Sequence, residues 1–87
     1  MDYLRCTYCP GLFKSEYIIK FKVANPAEFN WLFVNKEDVK PLDEKNGLIK
    51  LKGCSESRDG MVLVHINDVA DYRIAPFVVY LEDIVLE

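Results

Sequence analysis

Two cysteines near the start of the chain, Cys6 and Cys9, have the C-x2-C spacing of half a zinc knuckle. Two thiolates at this spacing can bind one tetrahedral Zn²⁺ from a single turn, and a Pro-Gly pair follows them directly. A structural zinc site needs four ligands, and the remaining thiol and imidazole candidates are Cys54 and His65. The spacing therefore offers a Cys₃His zinc site as one hypothesis.

A second interpretation treats the same cysteines as reduced, packed thiols, because a free cysteine behaves as a small apolar side chain. Nothing in the spacing of Cys54 and His65 requires either residue to meet the first pair. Disulfide-exchange chemistry is disfavoured, since the Cys6–Cys9 pair does not follow a strand and open a helix. Three cysteines cannot all pair in disulfides, which is typical of a reducing compartment. We expect packed thiols and no cofactor, with zinc as the alternative.

Four lysines alternate with apolar residues in two short segments, at Lys20, Lys22, Lys50 and Lys52. If these segments are adjacent strands, the four ammonium groups share one solvent-facing patch. Such a patch binds single-stranded nucleic acid when aromatic rings accompany it, but Phe21 alternates onto the buried side. A solvated face or a protected strand edge is the preferred interpretation, so we do not expect a nucleic-acid partner, and the net charge of −3 argues separately against duplex DNA.

Three residues are candidates for contacts with a protein partner. Tyr72 and Arg73 lie in the segment 67–75, which we expect to be an exposed loop, and both residue types are enriched at binding hot spots. Trp31 is the single tryptophan and is either a core anchor or an interface residue. On sequence grounds the core position is preferred for Trp31.

The chain contains no recognised catalytic motif. His65 lies in an apolar run, as a structural strand histidine would. The neighbouring carboxylates Glu37/Asp38 and Glu82/Asp83 point apart on any strand and are better interpreted as strand-end caps. We therefore expect a protein that is not an enzyme.

Hydrophobic periodicity predicts strands and turns along most of the chain. The segment Glu16–Val23 alternates with period two, and further strands are predicted at 48–52, 61–66 and 76–81. Hairpin turns are predicted at Asn46-Gly47 and at 57–60. Residues 26–36 are ambiguous, because Asn-Pro-Ala-Glu resembles a helix start whereas Trp-Leu-Phe-Val is good strand material.

An internal similarity favours the strand. Residues 19–39 align without a gap on residues 49–69 and share six identical positions of 21. Three strands are followed by an aspartate and a β-branched residue, at Asp38-Val39, Asp68-Val69 and Asp83-Ile84. Such an aspartate can accept a backbone N–H in an Asx turn or cap a single 3₁₀ turn, and either arrangement ends a strand. The alignment predicts two similar hairpin-like units and a third strand with the same ending.

The predicted fold is all-β over a single domain, residues 1–87. It is a small five- to six-stranded SH3-like barrel or sandwich with short 3₁₀ turns, and the alternative is an α+β fold with one short helix near residues 26–36. No apolar run reaches the ~20 residues of a membrane span, so a cytoplasmic protein without a membrane partner is expected. The predicted function is a non-catalytic binding module that acts through a protein partner or as a homodimer. The alternative is a zinc-stabilised β domain that binds single-stranded nucleic acid.

Overall fold

Antiparallel strands account for most of the structure, a computed structural model that describes residues 2–87. The described strands are β1 (Asp2–Pro10), β2 (Glu16–Val23), β3 (Glu28–Asn35), β4 (Val39–Pro41), β5 (Asn46–Lys50), β6 (Gly53–Cys54), β7 (Met61–Asp68), β8 (Arg73–Tyr80) and β9 (Ile84–Leu86). Single 3₁₀ turns at Lys36–Asp38 and Leu81–Asp83 precede β4 and β9. The predicted all-β class is therefore confirmed.

The larger sheet has the strand order β3-β2-β1-β5-β4, and β9 pairs with the first residues of β1. β2 and β3 form a hairpin in which Lys20 lies opposite Trp31 and Lys22 lies opposite Phe29. β1 continues this register, with Thr7 opposite Lys20. Because residues directly opposite each other in an antiparallel pair share a face, these side chains all lie on one side of the sheet.

The smaller sheet has the order β6-β7-β8, and its main unit is the hairpin of β7 and β8. Two backbone hydrogen bonds join the smaller sheet to the larger one. The Ala24 N–H donates to the Val78 carbonyl, and the Val69 N–H donates to the Phe33 carbonyl. The two hydrogen-bonded ladders are otherwise separate over residues 2–87, and closure into a barrel is not found there.

The core lies between the inner faces of the two sheets. In β2 and β7 alternate residues are buried, as period two requires of a strand with one covered face. The Phe21 ring from the larger sheet meets the Phe77 ring from the smaller one edge to face, with 5.0 Å between ring centroids. The largest fully buried side chains come from both sheets: Leu4, Ile19, Phe21, Val34, Ile49, Val64, Ile66 and Val79.

Each of the three aspartates lies where a strand ends, as predicted, but in two different ways. Asp38 and Asp83 each close a 3₁₀ turn, and the following Val39 and Ile84 begin the next strand. Asp68 instead ends β7 within a tight hairpin. Its carboxylate accepts the Asp71 N–H and so stabilises that turn.

Two sequence predictions are wrong. Asn46-Gly47 is not a turn but the start of β5, because the carboxylate of Asp43 caps the preceding turn by accepting the N–H groups of Lys45 and Asn46 at 2.8 and 2.7 Å. Residues 49–69 do not repeat the hairpin of 19–39, since β5 and β7 lie in different sheets.

The predicted turn at 57–60 is confirmed by Asp59 and Gly60, whose φ angles are 54° and 74°. Residues 28–35 form β3, so the short-helix alternative does not hold. Across residues 2–87 no helix is long and apolar enough to cross a membrane.

Candidate functional site

The four residues of the zinc hypothesis do not converge. Cys6 is buried on the inner face of β1, whereas Cys9 is exposed on its outer face, because an odd spacing along a strand reverses the side-chain direction. Cys54 and His65 lie on the paired strands β6 and β7 of the other sheet. Among the described residues no group of three or more cysteine, histidine or carboxylate side chains could hold a metal ion.

Burial also makes the first cysteine a poor ligand. It raises the pKa of the Cys6 thiol to about 12, so the thiolate that Zn²⁺ binds is disfavoured. The pKa of Cys54 is raised as well, by burial and then by the nearby Asp2 carboxylate.

The predicted four-lysine patch is split in two. Lys20 on β2 lies opposite Thr7 of β1, and Lys50 on β5 lies opposite Tyr3 of β1. β1 therefore lies between the two lysines, and their partners Thr7 and Tyr3 are four residues, or about 13 Å, apart along the strand. Lys52 lies beyond β5, where its Nζ is 3.8 Å from the buried Asp38 carboxylate. Lys20 and Lys22 therefore lie apart from Lys50 and Lys52.

The outer face of β1–β3 carries aromatic residues beside the lysines. The expectation that the lysine face lacks aromatics is wrong, because β3 contributes Phe29 and Trp31 directly opposite Lys22 and Lys20. The Nζ of Lys20 is 5.0 Å from the centroid of the Phe29 ring. We call this surface the aromatic–lysine face and define it by Thr7, Cys9, Ile18, Lys20, Lys22, Phe29 and Trp31.

Trp31 is an exposed residue and not a core anchor. Its side chain is 68% exposed and that of Phe29 is 63% exposed, although both are large and apolar. An open hollow of 460 Å³ lies beside Trp31 and crosses β2 and β1; it is lined by Thr7, Tyr8, Cys9, Ile18, Lys20, Trp31 and Lys45. An exposed ring beside an apolar hollow is typical of a binding surface.

The signal for this face was present in the sequence but needed the strand pairing. Once residues 28–35 are a strand joined to β2 by the turn at 24–27, the hairpin register places Trp31 opposite Lys20. Within β2 itself, Phe21 and Tyr17 point inward, so the strand that carries Lys20 gives no sign of a ring beside it. Phe29 was missed because it lies within the ambiguous segment.

β3 forms one edge of the larger sheet, with β2 as its strand neighbour. The Phe33 carbonyl accepts the Val69 N–H, so the backbone groups of Phe33 point away from β2. By alternation, those of Trp31 and Phe29 point the same way. The Trp31 N–H donates to the Oδ1 of Asn30 at 3.2 Å, which fits this outward direction. No other strand within residues 2–87 pairs with the Phe29–Trp31 part of the edge, which we call open in this sense.

Tyr72 lies in a tight turn and Arg73 begins β8, so the predicted long loop is absent here. Tyr72 is 95% exposed at a φ of 53°, a left-handed conformation that favours glycine or asparagine. The Arg73 Nε is 3.4 Å from the buried Asp68 carboxylate and 3.9 Å from that of Asp71. Arg73 therefore has a structural contact, whereas Tyr72 has a fully available ring.

A smaller hollow connects Tyr72 to β3. It is lined by Leu12, Phe13, Glu16, Phe33, Val69, Ala70 and Tyr72. Phe33 is also the next outer-face residue after Trp31 along β3. The two predicted contact residues, Trp31 and Tyr72, are therefore linked through Phe33.

Comparisons with family models, with curated proteins and with solved structures find no match. The arguments about function below therefore start from the geometry of this chain.

Proposed function

We propose that the protein is a non-catalytic interaction module that binds an extended segment of a protein partner along the open edge of β3. The observation that supports this is the coincidence of two exposed aromatic rings, Phe29 and Trp31, with an edge of β3 that has no second strand partner within residues 2–87. In strand addition the backbone hydrogen bonds supply affinity, and pockets for alternate side chains supply specificity.

Trp31 and Phe29 have the character of anchor residues in this proposal. Aromatic side chains dominate interface energetics because they bury a large rigid area at little cost in conformational entropy. Tyr72 extends the same surface by way of Phe33. A tyrosine held in a left-handed turn with almost complete exposure is not explained by packing, which supports a role in binding.

A second copy of the chain is one partner of this kind, since two β3 edges can pair antiparallel. The architecture resembles SH3-like domains only in being a small all-β arrangement with 3₁₀ corners, and that analogy carries no functional argument. A cytoplasmic location belongs to the same proposal and is supported by the three free cysteines.

Photo-crosslinking in cells that naturally produce the protein tests the proposal. A benzophenone amino acid replaces Trp31 in one variant and Leu63, 39% exposed on β7 of the other sheet, in a matched control. We expect a discrete adduct with one protein, which can be a second copy, at position 31 and none at position 63. Equal adducts at both positions, or none at position 31, would contradict the proposal.

A further inference from the structure

Two adjoining hollows on the aromatic–lysine face form one groove. The hollow of 460 Å³ beside Trp31 and a second one of 240 Å³ share Thr7 and Lys20 in their linings. The second hollow lies where the pairing of β1 with β2 ends at Thr7, and it extends inward between these strands to Cys6 and Phe21. The rest of its lining includes Arg5, Lys22, Phe29, Asn46 and Asp83. The groove therefore crosses β1 and β2 with the exposed rings of β3 along one side.

The groove concentrates positive charge in an acidic protein. Four cations line it, Arg5, Lys20, Lys22 and Lys45, against Asp83 as the one carboxylate in the two linings. None of the four is in an ion pair within residues 2–87, whereas Lys40, Lys52 and Arg73 all are. The chain as a whole has a net charge of −3. Such a local reversal of sign favours an anionic ligand.

The exposed rings are interleaved with this charge. Phe29 and Trp31 are two residues apart on one face of β3, which places them about 7 Å from each other. The Lys20 Nζ is near the Phe29 ring and lies across the ladder from Trp31. A ligand that spans the face meets flat apolar rings and ammonium groups in alternation.

We propose that this groove binds single-stranded nucleic acid, with bases stacked on Trp31 and Phe29 and phosphates on the four cations. An unpaired strand matches the groove because each nucleotide brings both a ring face and a negative charge. The bases of a duplex are stacked on one another and cannot reach exposed rings. This ligand goes beyond the strand-addition proposal and uses the side chains of the face instead of the β3 backbone.

Fluorescence polarisation with labelled dT12 and U12 oligonucleotides tests the inference on the full chain. If all four cations contact phosphates, we expect binding to weaken about 50-fold between 50 and 200 mM salt, because each contact releases counterions. Trp31 is the single tryptophan, so stacking is also expected to quench the intrinsic fluorescence of the protein.

Matched substitutions locate the site. Trp31→Ala is expected to weaken binding roughly 5- to 150-fold, and Lys20→Ala to reduce the slope of log K against log salt by about 0.7. Lys50→Ala and Leu63→Ala, which lie outside the groove, are expected to leave affinity unchanged. Circular dichroism confirms that each variant is folded.

Three results would overturn the inference. They are the absence of salt-dependent binding, an equal effect of Lys50→Ala and Lys20→Ala, and displacement of dT12 by a polyglutamate peptide as effectively as by unlabelled dT12. The last result would assign the groove to an acidic protein segment. Failure with oligonucleotides together with a position-31 protein adduct would refute nucleic-acid binding and retain strand addition. Oligonucleotide binding without a position-31 protein adduct would support nucleic-acid binding and refute strand addition.

Discussion

Phe21 and Phe29 lie on the same hairpin and point to opposite sides of the larger sheet. Phe21 is 1% exposed and Phe29 is 63% exposed, so two identical side chains on paired strands have different tasks. The first fills the core against Phe77, and the second stands beside Lys20 on the aromatic–lysine face.

Alanine substitution is expected to separate these two phenylalanines. Phe21→Ala should lower the free energy of unfolding by about 3–5 kcal/mol, because it removes a fully buried ring and leaves a cavity. Phe29→Ala should change it by no more than about 0.5 kcal/mol. Urea denaturation followed by circular dichroism measures both values. Comparable losses in the two variants would show that Phe29 packs in the core.

The cysteines are expected to differ in reactivity. In the native protein, a thiol-specific chromogenic reagent at mildly alkaline pH should modify the exposed Cys9 and Cys54 and leave Cys6 unmodified, since Cys6 is buried and its pKa is raised to about 12. Cys54 should react slowly because its pKa is also raised. All three should react in denaturant. Rapid modification of Cys6 in the folded state would place it on the surface.

Asp43 is expected to titrate well below an ordinary aspartate. Hydrogen bonds from the backbone and side chain of Asn46, and from the Lys45 N–H, lower the pKa of Asp43 from 3.8 to about 2. The folded state then binds this proton less readily than the unfolded state. The stability that Asp43 contributes is therefore present above pH 4 and is lost as the pH falls to 2.

Carboxyl NMR measures this titration directly, and Asp43→Ala provides the control. The variant should lose the part of the pH dependence of unfolding that Asp43 supplies between pH 4 and pH 2. An Asp43 carboxyl that titrates at its ordinary value would mean that the turn before β5 is not capped as described.

Arg73→Ala is expected to destabilise the fold even though Arg73 is a surface residue. The Asp68 carboxylate is 3% exposed, and removal of Arg73 deprives it of its nearest cation. We expect a loss of about 1–3 kcal/mol, measured by thermal or urea unfolding. Arg58→Ala, which removes an exposed arginine outside any ion pair of the described residues, should have no such effect. If Arg73→Ala leaves the free energy of unfolding unchanged, Arg73 has no structural role and is available as a binding residue.

Tyr72→Asn should leave stability unchanged or raise it by up to about 1 kcal/mol, because asparagine tolerates the left-handed φ of 53° better than tyrosine. The same variant should weaken the position-31 crosslink if Tyr72 belongs to the binding surface. A loss of more than about 1 kcal/mol on unfolding would show that the Tyr72 ring packs against the fold.

Local patterns predicted the strands β2, β5, β7 and β8, but they did not predict the short strands β4, β6 and β9 or the pairing of the strands. The alternation of Glu16–Val23 predicted β2 to the residue, since burial of one face has a period-two signature. The turn predicted at Asn46-Gly47 lies earlier in the chain, because the Asp43 carboxylate accepts the N–H groups of Lys45 and Asn46 and so stabilises a turn before β5. The lysine patch failed because β1 inserts between β2 and β5, a long-range pairing that local sequence does not encode.

The site was only partly predictable for the same reason. Trp31 and Tyr72 were identified by residue type, but their exposure depends on which face of β3 meets the core and on how tightly β7 and β8 turn. The aromatic–lysine face exists only through the pairing of β2 with β3. A strand assignment for 28–35 combined with hairpin register would have found it.

Amide hydrogen exchange along β3 tests the central claim of strand addition most directly. In the free protein, Asn30 and Leu32 should be protected by β2, whereas Phe29, whose N–H points outward, should exchange rapidly. In complex with the protein that crosslinks at position 31, the amides of Phe29 and Trp31 should become protected from exchange. The amides of Asn30 and Leu32, already protected by β2, should not change. Unchanged exchange at Phe29 and Trp31 in that complex would contradict the account.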